Sequence, residues 1–253
     1  LETKNEKHIY PEDVKYILDT SEPKAYLELA ASINRNNRIR IILIQHEFGF
    51  FYKHEDEFME FLAAISKPVA IVFHTVLPRP DESFKTRVQQ IAAACESIIV
   101  MTNNSAKLLT SDYGVPEEKI AVIPHGTHLV PHLNKDVLKE KDGFSNRTIL
   151  STFGLLSSGK GIETTLEALP AIIRENPDVL FLIIGKTHPS VVKEEGEKYR
   201  EMLLEKVEQL HLQNHVKFIN RYLPLSELLE YLQLSDIYLF TSRDRNQAVS
   251  GTF

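Results

Sequence analysis

Between residues 154 and 163 the chain reads Gly154-Leu-Leu-Ser-Ser-Gly159-Lys160-Gly161-Ile162-Glu163. These small residues let backbone N–H groups approach an anion, and Lys160 stands where a helical run begins. A helix N-terminus favours negative charge through its aligned peptide dipoles, so lysine and dipole act on the same group. The spacing from Gly154 to Lys160 also fits the G-x-x-x-x-G-K part of a nucleoside-triphosphatase loop. Gly161 occupies the place where that motif needs Ser or Thr for Mg²⁺, and no strand supplies the partner aspartate. The residues therefore point to phosphate binding without that hydrolytic machinery. The plainer alternative is a tight turn with a solvated lysine.

Other polar residues follow other apolar runs. Gly185 ends Ile183-Ile184 and precedes Lys186-Thr187-His188; a glycine there allows close approach of a ligand or simply makes a turn. Arg221 follows Phe218-Ile219-Asn220 and brings a cation to the same kind of position. Ser250-Gly251-Thr252 offers hydroxyls and N–H groups at the start of an expected helix, a second phosphate-suited terminus. Earlier in the chain, Gln45-His46-Glu47-Phe48-Gly49 follows one run and His74-Thr75 another. A lone histidine is more often structural than catalytic, but several polar residues at strand ends face the edge where such sheets bind ligands. His125, His128 and His132 are too loosely spaced, in a segment of turn residues, for a zinc site.

The elements that position these loops follow from hydrophobic patterning. Short β-branched or aromatic runs at 39–44, 69–73, 97–101, 120–123, 148–153, 179–184, 216–219 and 237–240 are apolar on both faces, as strands covered on both sides must be. Helical periodicity fills 81–94, 104–113, 161–176, 194–210 and 224–234, with Asn104 placed to cap its helix. Strand–helix alternation without hairpin signals means βαβ units and parallel sheets. Residues 124–147 break the pattern with Pro124, Gly126, Pro131 and Gly143. The expected architecture is two doubly wound, Rossmann-like α/β domains facing across a cleft. The first spans 1–126, a linker 127–147, and the second 148–253.

Bulk composition limits the function classes. The chain has 253 residues, 43% hydrophobic and 25% charged, with a net charge of −6 and basic residues spread along its length. A nucleic-acid surface would need a concentrated basic stripe. The single cysteine, Cys95, excludes a disulfide within the chain and suits a reducing, cytoplasmic compartment. No apolar stretch approaches the ~18–20 residues of a membrane span. The polar start at Leu1 and the abrupt end at Phe253 suggest an excerpt of a longer protein.

Taken together, these loops resemble the retaining glycosyltransferases of the GT-B fold, family 4 (glycosyl transferases group 1). The resemblance rests on Ile123-Pro-His-Gly126, Phe153-Gly154 with Lys160-Gly161, Leu182-Ile-Ile-Gly185, Val216-Lys-Phe218 and Leu234-Ser-Asp236-Ile237 followed by Ser242. It is similar in particular to a bacterial subgroup with Gln-His-Glu-Phe-Gly (45–49) and Gln-x-x-Ser-Gly-Thr (247–252) segments. The likeness implies that Gly159 and Lys160 cradle the donor diphosphate, joined by Ser250, Gly251 and Thr252. Gly185 and Arg221 would border the base and ribose. His74 would contact the transferred sugar, with Gln247 also at the catalytic centre, and Gln45, His46, Glu47 and Gly49 would face the acceptor.

The implied reaction moves a hexose from a UDP-, GDP- or ADP-sugar to a saccharide or lipid-linked acceptor, with retention and with neither metal nor cofactor. Polysaccharide biosynthesis and peripheral association with the inner face of the membrane go with that acceptor class. Two departures stand out. Leu155 replaces the family's usual arginine, and Gln247 replaces the first glutamate of a Glu–seven residues–Glu signature whose second member falls past Phe253. The 253-residue chain alone is accordingly expected to be inactive. Alternatives are a non-catalytic nucleotide-sugar scaffold or sensor, and a sugar-nucleotide epimerase or phosphorylase of the same fold.

Overall fold

The computed structural model describes residues 10–51, 53–127, 129–187 and 189–242. The chain divides into two compact units at Gly126–Thr127. In the first, α1 (Pro23–Arg35), β1 (Ile42–His46), α2 (Glu55–Ala64), β2 (Val69–Phe73), α3 (Glu82–Ala94), β3 (Ser97–Val100), α4 (Asn103–Ser111) and β4 (Ile120–Val122) follow in turn. The sheet order is β1-β2-β3-β4, and every pairing is parallel. β2 is buried along its whole length, so its residues must be apolar on both faces. Asp81 caps α3 by accepting the Phe84 N–H, and Thr102, rather than Asn104, caps α4 by accepting that of Ser105. The hydroxyl sits one residue outside the helix, where a side-chain oxygen can reach the orphan N–H groups.

The second unit contains α5 (Lys135–Lys141), β5 (Thr148–Phe153), α6 (Ile162–Glu175), β6 (Val179–Ile184), α7 (Pro189–Glu195), α8 (Lys198–Gln209), β7 (Val216–Ile219), α9 (Leu225–Leu234) and β8 (Ile237–Tyr238). Its parallel sheet has the order β7-β6-β5-β8. Side chains alternate strictly along β6. Val179, Phe181 and Ile183 join a core with Leu166 and Leu203, while Leu180, Leu182 and Ile184 join another with Leu138 and Tyr231. Alternation at period two places one set against α6 and α8 and the other against α5 and α9.

Part of the segment read from sequence as a linker is thus structural. Asn134 caps α5 by accepting the N–H groups of Asp136 and Val137, and Leu138 and Phe144 are buried in the second unit. Lys139 Nζ reaches Asp236 Oδ2 at 2.6 Å and the Arg147 carbonyl at 2.9 Å. Asp236 also accepts the Ile149 N–H at 2.7 Å, joining the starts of β5 and β8. Burial works against the Asp236 carboxylate, but the bonds from Lys139 and Ile149 hold it below the usual carboxylate range. A helix of seven residues is too short for periodicity to announce it.

Candidate functional site

In the second unit the chain runs from β5 outward to β6 and β7, then returns to place β8 on the other side of β5. The loops leaving β5 and β8 therefore diverge at a topological switch point, where open parallel sheets bind ligands. The β5 loop holds a 3₁₀ turn, Ser158–Lys160, followed by Gly161 in the left-handed conformation (φ 61°) at the entry to α6. The segment leaving β8 docks on this loop. Thr241 Oγ1 donates to the Lys160 carbonyl at 2.8 Å and Ser242 Oγ to that of Gly159 at 3.4 Å.

The loop's own N–H groups are largely engaged. Lys160 N–H bonds to the Ser157 carbonyl and Gly161 N–H to that of Ser158. Ile162 N–H donates to the buried Tyr199 hydroxyl at 3.2 Å, and that hydroxyl donates to Glu163 at 2.6 Å. The expected cradle of N–H groups at the helix start is thus partly filled by protein. The Lys160 ammonium is different: it makes no hydrogen bond or ion pair with any described residue. A half-buried cation held at a helix entry on a pinned loop is suited to a phosphate.

Gly185 sits beside this loop for a reason of backbone packing. Its φ is 130°, and a Cβ there would lie 2.1 Å from the Gly154 carbonyl oxygen. The N–H of Gly154 bonds to the Ile184 carbonyl, and Leu156 N–H to that of Lys186. The two strand exits are thereby zipped together beyond the sheet. Arg221, expected to offer a free cation, is instead in a bidentate ion pair with Glu227 on α9. An exposed arginine two residues past a strand meets the acidic first turn of the next helix, so its charge is satisfied locally.

In the first unit the ends of β1 and β2 lie in register, His46 opposite Phe73. Beyond them His74 Nε2 meets Gln45 Oε1 at 2.7 Å, and Thr75 Oγ1 donates to Glu47 Oε2 at 3.1 Å. Gln45, Glu47, His74 and Thr75 form one polar cluster at the sheet's carboxyl edge. Gly49 is exposed in the Phe48–Phe51 3₁₀ turn, and no atom would obstruct a side chain there.

His46 departs from the acceptor-facing role expected of it. It is 2% exposed and packed between Phe48, Phe51, Phe58 and Phe73. Alternation along β1 turns it inward where Gln45 turns outward. Burial, with His74 adding to it, pulls its pKa down to about 4. The unfolded ring takes a proton near pH 6.5, whereas the folded one resists it. Stability from this site is therefore complete above pH 6.5 and declines as the pH falls toward about 4. His46→Leu should flatten the pH dependence of urea midpoints across that window.

Gln247, Ser250, Gly251 and Thr252 lie outside the described residues. Two features carry no motif in the sequence, the Tyr199–Ile162 bond and the polar cluster of Arg200, Glu197 and Thr187 behind Gly185. The only signal for the second is an arginine on the apolar stripe of α8, beside Tyr199, Leu203 and Val207.

Residues 13–130 match the family described as Glycosyltransferase Family 4, and residues 134–249 that described as Glycosyl transferases group 1. The chain carries a family 4 glycosyltransferase domain followed by a group 1 glycosyltransferase domain. Its two doubly wound α/β units are of the GT-B class. Among solved structures, Anabaena HepE in complex with UDP aligns with a TM-score of 0.65 at 17% identity, covering 87% of this chain and 57% of that one. A glycosyltransferase from Rickettsia africae aligns at 0.66 and 20% identity, covering 90% and 59%. The α,α-trehalose 6-phosphate synthase of Burkholderia multivorans aligns at 0.57 and 14% identity, covering 88% and 57%. These likenesses are of fold, and this chain spans between 57% and 59% of the length of those three. No curated protein sequence matches it. Among the described residues no helix is long and apolar enough to cross a membrane.

Proposed function

We propose that this chain is the donor- and acceptor-binding portion of an enzyme that moves a hexose from a nucleoside-diphosphate sugar to a saccharide or lipid-linked acceptor, with retention. The observation that carries the reading is the Lys160 ammonium, free of side-chain partners among the described residues at the β5/β8 switch point. Breaking a sugar–phosphate bond leaves charge on the diphosphate. A cation fixed in advance on a pinned loop, at the start of a 14-residue helix, stabilises that charge without reorganising. HepE has been crystallised with UDP, with UDP and glucose, and with UDP-glucose, which favours a UDP-hexose as donor.

Within the first unit, the Gln45–His74 pair supplies the group we assign to the transferred sugar. With Gln45 Oε1 accepting from Nε2–H, the Nδ1 of His74 is the acceptor left for a ligand hydroxyl. Glu47 and Thr75 supply the groups we assign to the acceptor. Gln247, Ser250, Gly251 and Thr252 complete the donor side in this reading. A cytoplasmic setting at the inner face of the membrane suits a lipid-linked acceptor.

The test is product analysis with radiolabelled UDP-glucose, GDP-mannose and ADP-glucose. Label appearing in a saccharide or lipid product, or as free sugar, is the expected result. Binding without turnover would favour a nucleotide-sugar scaffold, and an isomerised donor an epimerase.

A further inference from the structure

Arg200 is a charge in the interior of the second unit, 5% exposed. Its Nε donates to Glu197 Oε2 at 3.1 Å, and its Nη2 donates to the Gly185 carbonyl at 3.1 Å and approaches Thr187 Oγ1 at 3.4 Å. The Thr187 hydroxyl donates to the same Glu197 oxygen, and these bonds, that of Thr187 foremost, keep the carboxylate below its usual range. The Nη1 of Arg200 is buried and has no hydrogen-bond partner among the described residues. An apolar side chain here would extend the stripe of Leu203 and Val207 without that cost, so stability alone does not account for a guanidinium.

What the guanidinium does is hold the exit of β6. Gly185, whose carbonyl it grips, lies against the Gly154 carbonyl with no room for a side chain. Lys186 then accepts the Leu156 N–H at 2.8 Å, and Thr187 bridges to Leu156. Leu156 leads directly into Ser157–Gly161. A continuous path of short contacts thus runs from Arg200 through residues 185–187 and 154–156 to Lys160.

We propose that Arg200 is a positioning residue for the phosphate loop, gripping residues 185 and 187 so that the neighbouring strand exit presents Lys160 to the donor diphosphate. The proposal rests on the reading of that loop as the diphosphate site. It requires the planar fork of arginine, because Nε holds Glu197 while Nη2 holds the Gly185 carbonyl at the same time; a lysine ammonium is a point charge and cannot reproduce that grip.

The experiment measures affinity for the tightest-binding of UDP, GDP and ADP by calorimetry and for its parent nucleoside by NMR shift titration. The proteins are wild type, Arg200→Lys, Arg200→Met, Lys160→Ala and the Arg200→Met/Lys160→Ala double variant. Both Arg200 variants should weaken the diphosphate about tenfold or more while nucleoside affinity stays within about twofold, and the double variant should lose less than the product of the single losses. If Arg200→Met does not fold, Arg200→Lys and Thr187→Val carry the test with the same selective loss. Wild-type diphosphate affinity in Arg200→Lys, or equal losses for diphosphate and nucleoside, would overturn the proposal. Loss of binding in Lys160→Ala with unchanged Arg200 variants sinks this proposal alone. A wild-type protein that binds none of the three diphosphates sinks the donor-site reading as well.

Discussion

Lys160→Ala is expected to lower the affinity for a nucleoside diphosphate by about 1.5–3 kcal/mol, roughly ten- to a hundredfold, because a charge-assisted hydrogen bond is removed. The fold should not notice. The ammonium has no partner among the described residues, and the loop's shape depends on other atoms. Its carbonyls are held by Thr241 and Ser242, its N–H groups by Ser157, Ser158 and Tyr199. Melting should therefore stay within about 0.5 kcal/mol of wild type, as for a surface substitution. Calorimetry with UDP reads the first quantity and a thermal melt the second. Unchanged affinity would remove Lys160 from the diphosphate site.

Gly185→Ala is expected to have the opposite signature, a large loss of stability of about 3 kcal/mol or more. At φ 130° an L-residue is strained before any contact is considered, and the added Cβ would meet the Gly154 carbonyl oxygen at 2.1 Å. That neighbour is backbone, itself bonded through its N–H to Ile184, so it cannot swing aside as a long side chain would. Relief would require separating the exits of β5 and β6 and breaking the Leu156–Lys186 bond. Gly49→Ala is the control, since nothing lies within 4 Å of its missing Cβ. Equal urea midpoints for the two variants would contradict the packing argument.

The central strands β2, β5 and β6 are legible in the sequence because they are buried on both faces over most or all of their length. The runs at 69–73, 148–153, 179–184 and 216–219 coincide with β2, β5, β6 and β7. The run at 39–44 is shifted against β1 (Ile42–His46), because apolarity ends before pairing does: Gln45 and His46 continue the ladder with β2. Helices α1 and α2 lie outside the helical runs read from periodicity, although Pro23 at the start of α1 and Arg35 and Asn36 at its end are boundary signals. The helical run at 194–210 is broken between α7 and α8, with Gly196 at φ 71° at the break. For the site, the sequence places Lys160 correctly at a strand-to-helix turn. It does not reveal that Arg221 is neutralised by Glu227 or that His46 faces inward, since both depend on which neighbour the fold brings near.

The docking of β8's exit on the β5 loop also has a meaning in time. Thr241 reaches the Lys160 carbonyl across a sequence separation of 81 residues, and Ser242 reaches Gly159 across 83. Contacts of that span form late, because the intervening chain must be ordered before they return any stabilisation. On a ribosome the lysine emerges well before the strand that locks its loop. The proposed phosphate loop is thus locked only once β8 has returned to the side of β5.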